Sequence, residues 1–395
     1  MSARISTFLT RTSPTVAGSE RSIERDRQSS KRPEPTSHMA IASRPTGQLV
    51  GAVLAAAAIV WLVFHLAGLH APFGMVVCWL LVFVLLYGTI TWRTEGVLVA
   101  KDRLGTVFVC TGAVIAFLPL AAIIAFVVAR GWPVVATNFP HFITTDLKGV
   151  GSADPYTRAG MKAAIMGTLE QVGLATAMTT PFAIMTALYL TESLSRLARG
   201  ISTVVDAMSG VPAIIAGLFV YLVWVLPRES HHRTGGYSGW AASMALAIVM
   251  IPTVTRTAEE VLRTIPGSLR EAALALGAPR WRATMQVVLP TARSGLITAV
   301  VLGVARAVGE TAPVLFTAHG STGTNLNPFH GPQTDLSLQV YQFITSTSNN
   351  QVSEAFGGAL VLLVLVLILF LLARIVGSGR RRGRRSMVAW ARREA

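Results

Sequence analysis

The chain has 395 residues, of which 52% are hydrophobic and only 13% are charged, and its mean hydropathy is +0.55. This composition excludes a disordered chain, a collagen-like chain and a soluble disulfide scaffold, and it indicates a membrane protein. The formal net charge of +15 would suggest nucleic-acid binding in a soluble protein. In a membrane protein it raises instead the question of where the basic residues lie.

The chain begins with a polar stretch and continues as a series of apolar runs. Residues 1–48 are rich in Ser, Thr, Pro and Arg and show neither helical nor strand periodicity, which predicts a disordered cytoplasmic tail. Runs of about 20 apolar residues, the length that crosses a bilayer core, follow this tail. The first two are so close together that residues 49–92 are predicted to form a transmembrane hairpin. Eight spans are predicted in all, at about 49–69, 72–92, 106–129, 161–190, 205–226, 239–258, 294–317 and 356–376.

The basic residues predict the orientation of these spans. With both ends of the chain in the cytoplasm, 27 of the 34 Lys and Arg residues fall on the cytoplasmic side. This bias follows the positive-inside rule. The Arg-rich tail at 377–395 is expected to contact anionic membrane lipid, and no nucleic-acid partner is needed to explain it. The sequence therefore predicts an all-α polytopic membrane protein.

Four of the predicted spans contain a proline, and each proline is expected to kink its helix. A kink frees backbone carbonyls, which lipid tolerates only where the backbone faces protein or a water-filled cavity. A bundle that rearranges during transport explains four such sites better than a membrane anchor does. The four residues are Pro181, Pro212, Pro252 and Pro313.

The segment 256–293 lies between two predicted spans on the cytoplasmic side, yet it shows helical periodicity. Its pattern predicts two short amphipathic helices joined at Gly277, the second running from Trp281 to Leu289. The order of residues in this segment is also distinctive. Glu271-Ala272-Ala273 is followed by three residues, Gly277, nine further residues, and then Val287-Val288-Leu289-Pro290.

This spacing resembles the EAA signature of permease subunits of bacterial ABC importers, whose loop forms a coupling helix that docks on an ATPase subunit. The family usually has isoleucine where this chain has Val287, which is a conservative difference. The resemblance implies that Glu271, Ala272, Ala273, Gly277, Leu289 and Pro290 couple the chain to an ATPase.

A narrower resemblance follows from residues 268–277, 289–290 and 305–318, which are similar to the PstA-type phosphate permeases. It implies an ABC importer type I permease core of about six helices, here 93–376, to which the hairpin at 49–92 is an addition. The implied partners are a second permease of the PstC type, two ATPase subunits of the PstB type and an extracytoplasmic phosphate-binding protein of the PstS type. The implied location is the bacterial cytoplasmic membrane, and no cofactor is implied.

Arg306 and Glu310 are charged residues inside a predicted span, four residues apart on one helix. An unpaired charge at mid-membrane costs about 2.5–3.5 kcal/mol on insertion scales, so the two must pair or face water. In one interpretation they form an ion pair that locks the bundle. In the other, Arg306 attracts the transported anion and Glu310 prevents it from binding too tightly to be released. The resemblance to the family's Arg-x-x-Gly-Glu-Thr element favours the second interpretation and adds Thr311 to the substrate path.

Several functions remain to be distinguished. The soluble segments contain no glycine-rich loop for ATP, no zinc-protease helix, no catalytic constellation and no metal site, so ATP hydrolysis is assigned to a partner and the chain is not predicted to be an enzyme. The amphipathic stretch from Leu336 to Phe343 is predicted to lie near the membrane surface, as a plain surface helix or as a contact for a binding protein. Two alternatives stay open: a permease for sulfate or molybdate, and a signalling scaffold that reports external phosphate.

Overall fold

The computed structural model describes residues 43–69, 71–193, 195–229 and 236–378. Within them the apolar runs form helices, because in lipid every backbone N–H and C=O must find its partner inside the protein. Seven helices are long and apolar enough to cross a membrane, and a bent pair makes eight if it counts as one span. The predicted all-α polytopic fold is confirmed. The side of the membrane on which each end lies stays a prediction.

The chain divides into two compact units between Pro119 and Leu120. In the first unit, α1 (Ser43–Leu66) packs against α2 (Pro72–Glu95), and the small residues Ala52 and Ala56 are buried in this contact. The helix α3 (Val97–Thr137) follows after Gly96. Most of the predicted polar tail and nearly all of the predicted basic tail lie outside the described residues.

The second unit contains the remaining helices. The upper end of this unit is the end at which three long helices begin, at Lys162, Gly239 and Asn349. Its lower end is the end at which two of them finish, at Glu192 and Arg263, and at which another helix begins, at Leu289. One-turn helical segments connect them at His141–Thr144, Tyr156–Arg158, Leu226–Glu229 and Arg280–Ala283. The other helices are α4 (Lys162–Glu192), α5 (Arg196–Ser209), α6 (Ala213–Val220), α7 (Gly239–Arg263), α8 (Gly267–Ala275), α9 (Leu289–Val308), α10 (Ala312–Ala318), α11 (Leu336–Ile344) and α12 (Asn349–Ser378).

The helix α7 is the most deeply buried of the candidate spans. Small residues allow its neighbours to approach closely, as is usual for helices that associate in a membrane. Gly295 and Gly303 of α9 face α7, and a Cβ atom added to them would lie 2.3 Å from Val261 Cγ1 and 2.4 Å from Val254 Cγ2 respectively. Any larger residue at these positions would push α9 away from α7.

The fifth predicted span is not a single helix. It was predicted as 205–226 with Pro212 as an internal kink, but α5 ends at Ser209 and α6 begins at Ala213, with a bend of 101° between the two helical segments. Pro212 adopts an extended conformation, with φ −60° and ψ 137°. The reason is that proline lacks an N–H group and disfavours the helical conformation of the residue before it. A π-helical turn, Tyr221–Val225, then continues α6.

The predicted span at 294–317 is also wrong in its boundaries. Residues 280–308 form one candidate span, in which a π-helical turn, Thr284–Val288, precedes α9. The second short helix predicted from Trp281 to Leu289 is therefore the beginning of this span. The span ends at Val308, and Pro313 lies in the first turn of α10, where its missing N–H costs no hydrogen bond.

The two other prolines lie inside helices as predicted by the pattern, Pro181 in α4 and Pro252 in α7. Neither proline ends its helix; Pro252 is buried among neighbouring helices, whereas Pro181 is exposed. Whether any of the four prolines takes part in a conformational change stays a prediction.

The helix α11 begins inside the unit, and its predicted position near the membrane surface stays a prediction. Leu336 and Leu338 are fully buried, and the backbone N–H of Leu336 donates to the hydroxyl of Thr168 on α4 at 2.9 Å. Asp335 caps α11 by accepting the N–H of Leu338 at 2.8 Å and the hydroxyl of Ser337 at 2.9 Å. The beginning of α11 is thus packed against protein, whereas Tyr341 and Ile344 further along it are 48% and 43% exposed.

We expect Gly217→Ala to weaken the packing of α6 on α10. A Cβ atom at this position would lie 2.6 Å from the Cα atom of Pro313, so the backbone must move. The expected loss is about 1–3 kcal/mol of stability, measured as a lower melting temperature in detergent. Gly173→Ala on α4 is the matched control, because a Cβ atom there meets nothing within 4 Å. Equal melting temperatures for the two variants would contradict the close contact.

We also expect a pH dependence from Asp335, because burial raises the pKa of its carboxyl from 3.8 to about 6. The folded protein therefore binds this proton more tightly than the unfolded chain. Stability falls by about 3 kcal/mol as the pH rises through the interval between the two pKa values, and then levels off. Asp335→Asn removes this decline. Melting curves recorded across this pH interval test it, and parallel pH profiles for the two proteins would show that Asp335 is not the cause.

Candidate functional site

The first candidate site is the segment that joins α7 to α9 at the lower end. Its short helix α8 has no buried residue, and Glu271 and Ala272 are exposed on it while Ala273 is half-buried. A helix that buries nothing within its own chain has its faces free for a partner. The two small alanines leave room for close approach, and the Glu271 carboxylate offers a partner for cationic side chains.

Gly277 ends α8 in a specific backbone geometry. Its φ is +81°, in the left-handed region that a residue with a Cβ atom rarely adopts. The N–H of Gly277 donates to the carbonyl of Leu274 at 2.9 Å, and the N–H of Ala278 donates to the carbonyl of Ala273 at 3.1 Å. These two bonds form a Schellman motif, which satisfies the last carbonyls of the helix and reverses the chain.

Large apolar side chains surround this turn without cover. Leu276 is 89% exposed in the segment between two spans, and Trp281 is 63% exposed in the first turn of the next candidate span, which begins at Arg280. Such a patch at the end of a span indicates a surface that binds another protein. The second half of the sequence motif, Leu289 and Pro290, lies apart from this patch. Leu289 packs against the hydrophobic cluster at the lower end, which contains Ala187 and Val288, whereas Pro290 is exposed.

The second candidate site surrounds Arg306. The helix α9 ends at Val308, so Arg306 and Glu310 do not share one helix as predicted, because Gly309 leaves the helix and Glu310 follows it. The two side chains nevertheless meet, with 3.5 Å between Arg306 Nε and Glu310 Oε1. Arg306 Nη1 also donates to the hydroxyl of Thr253 on α7 at 3.3 Å. Thr311 directly precedes α10 and is half-buried.

The Arg306 side chain stays accessible despite these contacts. It is 45% exposed, whereas the Glu310 side chain is 21% exposed. Within the described part of the chain, no hydrogen bond or ion pair involves Arg306 Nη2. The guanidinium can therefore donate to an anion without first breaking its contact with Glu310. Arg306 lies seventeen positions after Leu289 on α9, which places the two residues about 26 Å apart along the helix.

A charged network at the lower part of α7 was missed by the analysis of the sequence. Glu259 is 7% exposed and accepts hydrogen bonds from Arg256 at 2.5 Å and from Arg263 at 2.7 Å. Arg256 also contacts Asp206 of α5 at 2.6 Å and the Ser202 carbonyl at 2.7 Å. The spacing of three and four residues around Glu259 is the signal that could have indicated this network. It attaches the first half of the bent pair to α7.

The described residues contain no group of three or more His, Cys, Asp or Glu side chains that could hold a metal ion. They do enclose an apolar groove of about 710 Å³ between α4, α9 and α12, with Arg293 among its lining residues.

Comparisons with known proteins give the family. Residues 179–382 match the family described as binding-protein-dependent transport system inner membrane component. The phosphate transport system permease protein PstA 1 of Mycobacterium tuberculosis is 37% identical over 288 residues, which cover 71% of this chain and 90% of that protein. The phosphate transport system permease protein PstA of Pasteurella multocida is 37% identical over 223 residues, covering 56% of this chain and 77% of that protein.

Among solved structures, a chain of the bacterial alginate ABC transporter in complex with an alginate pentasaccharide-bound periplasmic protein matches with a TM-score of 0.49 and 16% identity. The match covers 73% of this chain and 98% of that chain. From the family and its curated relatives, the chain is an integral inner membrane protein and a permease subunit of an ABC importer, not an enzyme. It belongs to the binding-protein-dependent transport system inner membrane components and, within them, to the PstA-type permeases.

Proposed function

We propose that this permease carries inorganic phosphate across the bacterial cytoplasmic membrane, with both of its ends in the cytoplasm. It would form the translocation path with a second permease of the PstC type, receive phosphate from a PstS-type binding protein, and be driven by two PstB-type ATPase subunits. The observation that carries this proposal is the accessible guanidinium of Arg306 in a membrane-spanning helix of a chain that is 37% identical to a phosphate permease.

The chemistry of Arg306 suits a phosphate ion. Its planar fork matches two phosphate oxygens, and the guanidinium is more weakly hydrated than an ammonium group, so its desolvation costs less. The contact between Arg306 Nε and Glu310 Oε1 is long, at 3.5 Å, so the carboxylate neutralises the positive charge of Arg306 only in part. A nearby carboxylate weakens the attraction for a dianion, and a transport path needs this because the ion must leave as readily as it enters.

We expect Arg306→Gln to lower phosphate uptake by at least about tenfold in cells that lack the native protein. Charge-assisted hydrogen bonds contribute about 1.5–3 kcal/mol, and 1.4 kcal/mol corresponds to a factor of ten. The assay measures labelled phosphate at micromolar concentration, with and without excess sulfate. Arg293→Gln is the matched control, since Arg293 lies on the same helix near its lower end and should leave uptake within a factor of two.

Two results would contradict parts of this proposal. Full uptake by Arg306→Gln would mean that the arginine only packs the bundle. Competition by excess sulfate would mean that the substrate is a broader class of oxyanion. If Arg306→Gln abolished uptake but external phosphate were still reported to a signalling partner, the transport and signalling roles would be separate.

We further propose that α8 and the exposed side chains around Gly277 dock on an ATPase subunit. Three observations support this. The helix α8 buries none of its residues, Leu276 and Trp281 are exposed on either side of Gly277, and the Schellman turn fixes the direction in which the chain leaves α8. Closure of an ATPase pair would then push on α8 and move the spans that pack at the lower end.

We expect Gly277→Val to uncouple ATP hydrolysis from transport, because a β-branched residue at φ +81° is strongly disfavoured and distorts the turn. Uptake should fall at least about tenfold. The amount of protein in the membrane should stay the same, because the left-handed backbone at this turn costs valine only about 1–2 kcal/mol of stability. Gly277→Asn is the control, since asparagine tolerates this backbone region and should retain uptake. Normal uptake by Gly277→Val would count against docking at this turn, and loss with both variants would indicate that a side chain collides with the partner.

A further inference from the structure

We propose that Arg270 and Glu192 form a positioning pair through which α8 moves α4 during transport. This inference rests on the proposed function, in which α8 docks on an ATPase. Arg270 lies on α8 directly before Glu271, and Glu192 is the last residue of α4. Their side chains meet with 2.6 Å between Arg270 Nη2 and Glu192 Oε1.

The pair bridges two elements that have no close covalent connection. Short segments join α8 to α7 on one side and, through the turn at Gly277, to the span containing α9 on the other. By contrast, α4 is separated from α8 by α5, α6 and α7. Among the described residues, the Arg270–Glu192 contact is the one hydrogen bond or ion pair between α8 and α4. A displacement of α8 can therefore act on α4 directly through this contact.

Packing does not explain why the pair is there. No residue of α8 is buried, so apolar contacts do not hold this helix against α4. Glu192 stands at the C-terminal end of a 31-residue helix, where the helix dipole disfavours a negative charge. Arg270 Nε is buried and has no hydrogen-bond partner in the described part of the chain. The negative charge at the end of α4 and the unpaired Nε of Arg270 both lower stability locally. Such unfavourable features are expected at residues that serve function more than folding.

The end of α4 is connected to the rest of the bundle. Ala187 and Leu188, one turn before Glu192, lie in the cluster that also contains Leu262 of α7 and Leu289 of α9. A force applied at Glu192 therefore acts on the packed lower end of three long helices. The side chains of Arg270 and Glu192 are 35% and 30% exposed, so solvent screens the pair and its loss should change folding stability little. Its effect on coupling can then be measured separately.

The experiment uses the full complex of two permeases, ATPase subunits and binding protein in proteoliposomes, and it measures phosphate transported per ATP hydrolysed. Four variants are compared: Glu192→Gln, Arg270→Gln, the exchanged double variant Glu192→Arg/Arg270→Glu, and the control Glu95→Gln. Glu95 forms an ion pair with Arg103 at the same distance, 2.6 Å, with side chains 23% and 18% exposed. That pair lies in the first unit, whereas the residues of both candidate sites belong to the second.

Each single variant should lower the transport ratio at least tenfold while complex assembly and the rate of ATP hydrolysis stay within twofold of wild type. The exchanged pair should restore the ratio to within threefold, and Glu95→Gln should leave it unchanged. Ratios within twofold of wild type for the single variants, loss of assembled complex in them, or an exchanged pair no better than the single variants would each overturn the proposal. A wild-type complex that hydrolyses ATP but carries no phosphate would instead refute the proposed substrate.

Discussion

Close packing against α7 is the constraint on which the second unit depends. Helices in lipid gain little from the hydrophobic effect when they associate, so they must fit together closely. Alanines at 241, 242 and 245 are fully buried along α7, and Gly295 and Gly303 of α9 face its valines. Because these contacts leave no free space, α9 has little freedom to rotate or slide. The charged groups on both helices are therefore held at fixed positions relative to one another.

The positions of the charged side chains follow from this packing. Thr253 of α7 reaches Arg306 because Gly303, one turn earlier on α9, lets the two backbones approach. Lower on α7, Glu259 can be buried only because Arg256 and Arg263 both bond it, since an unpaired buried carboxylate would cost several kcal/mol. The same network holds α5 against α7 through Asp206. The polar groups thus lie along α7, from Thr253, which meets the accessible Arg306 of α9, to Arg263, where the segment that leads to α8 begins.

The sequence predicted what depends on composition and local spacing. Apolar runs predicted helical spans, eight of them against seven among the described residues, or eight if the bent pair counts as one. The motif around Gly277 predicted the short exposed helix with its glycine turn. It failed where tertiary contacts decide. In the sequence Pro212 is compatible with either a kink or a break, and the structure has a break, with a bend of 101° between α5 and α6. The stretch from Leu336 to Phe343 has an apolar face, but periodicity cannot tell whether protein or lipid covers it. The contact between Glu192 and Arg270 joins residues distant in sequence, which no local pattern reveals.

The π-helical turn before α9 changes the rotational phase of the residues that precede it. From Val288 onward the buried positions recur every three or four residues, through Ala292, Leu296 and Ala299. Extended backwards at the same period, this stripe would pass through Met285 and Trp281, yet both are exposed and the preceding buried residue is Ala283. One extra residue in the turn rotates everything before it by about 100°, the angle of one helical residue. If the same residues formed a regular α-helix, the tryptophan would turn inward, so the extra residue of this turn determines which side chains the chain presents below the bundle.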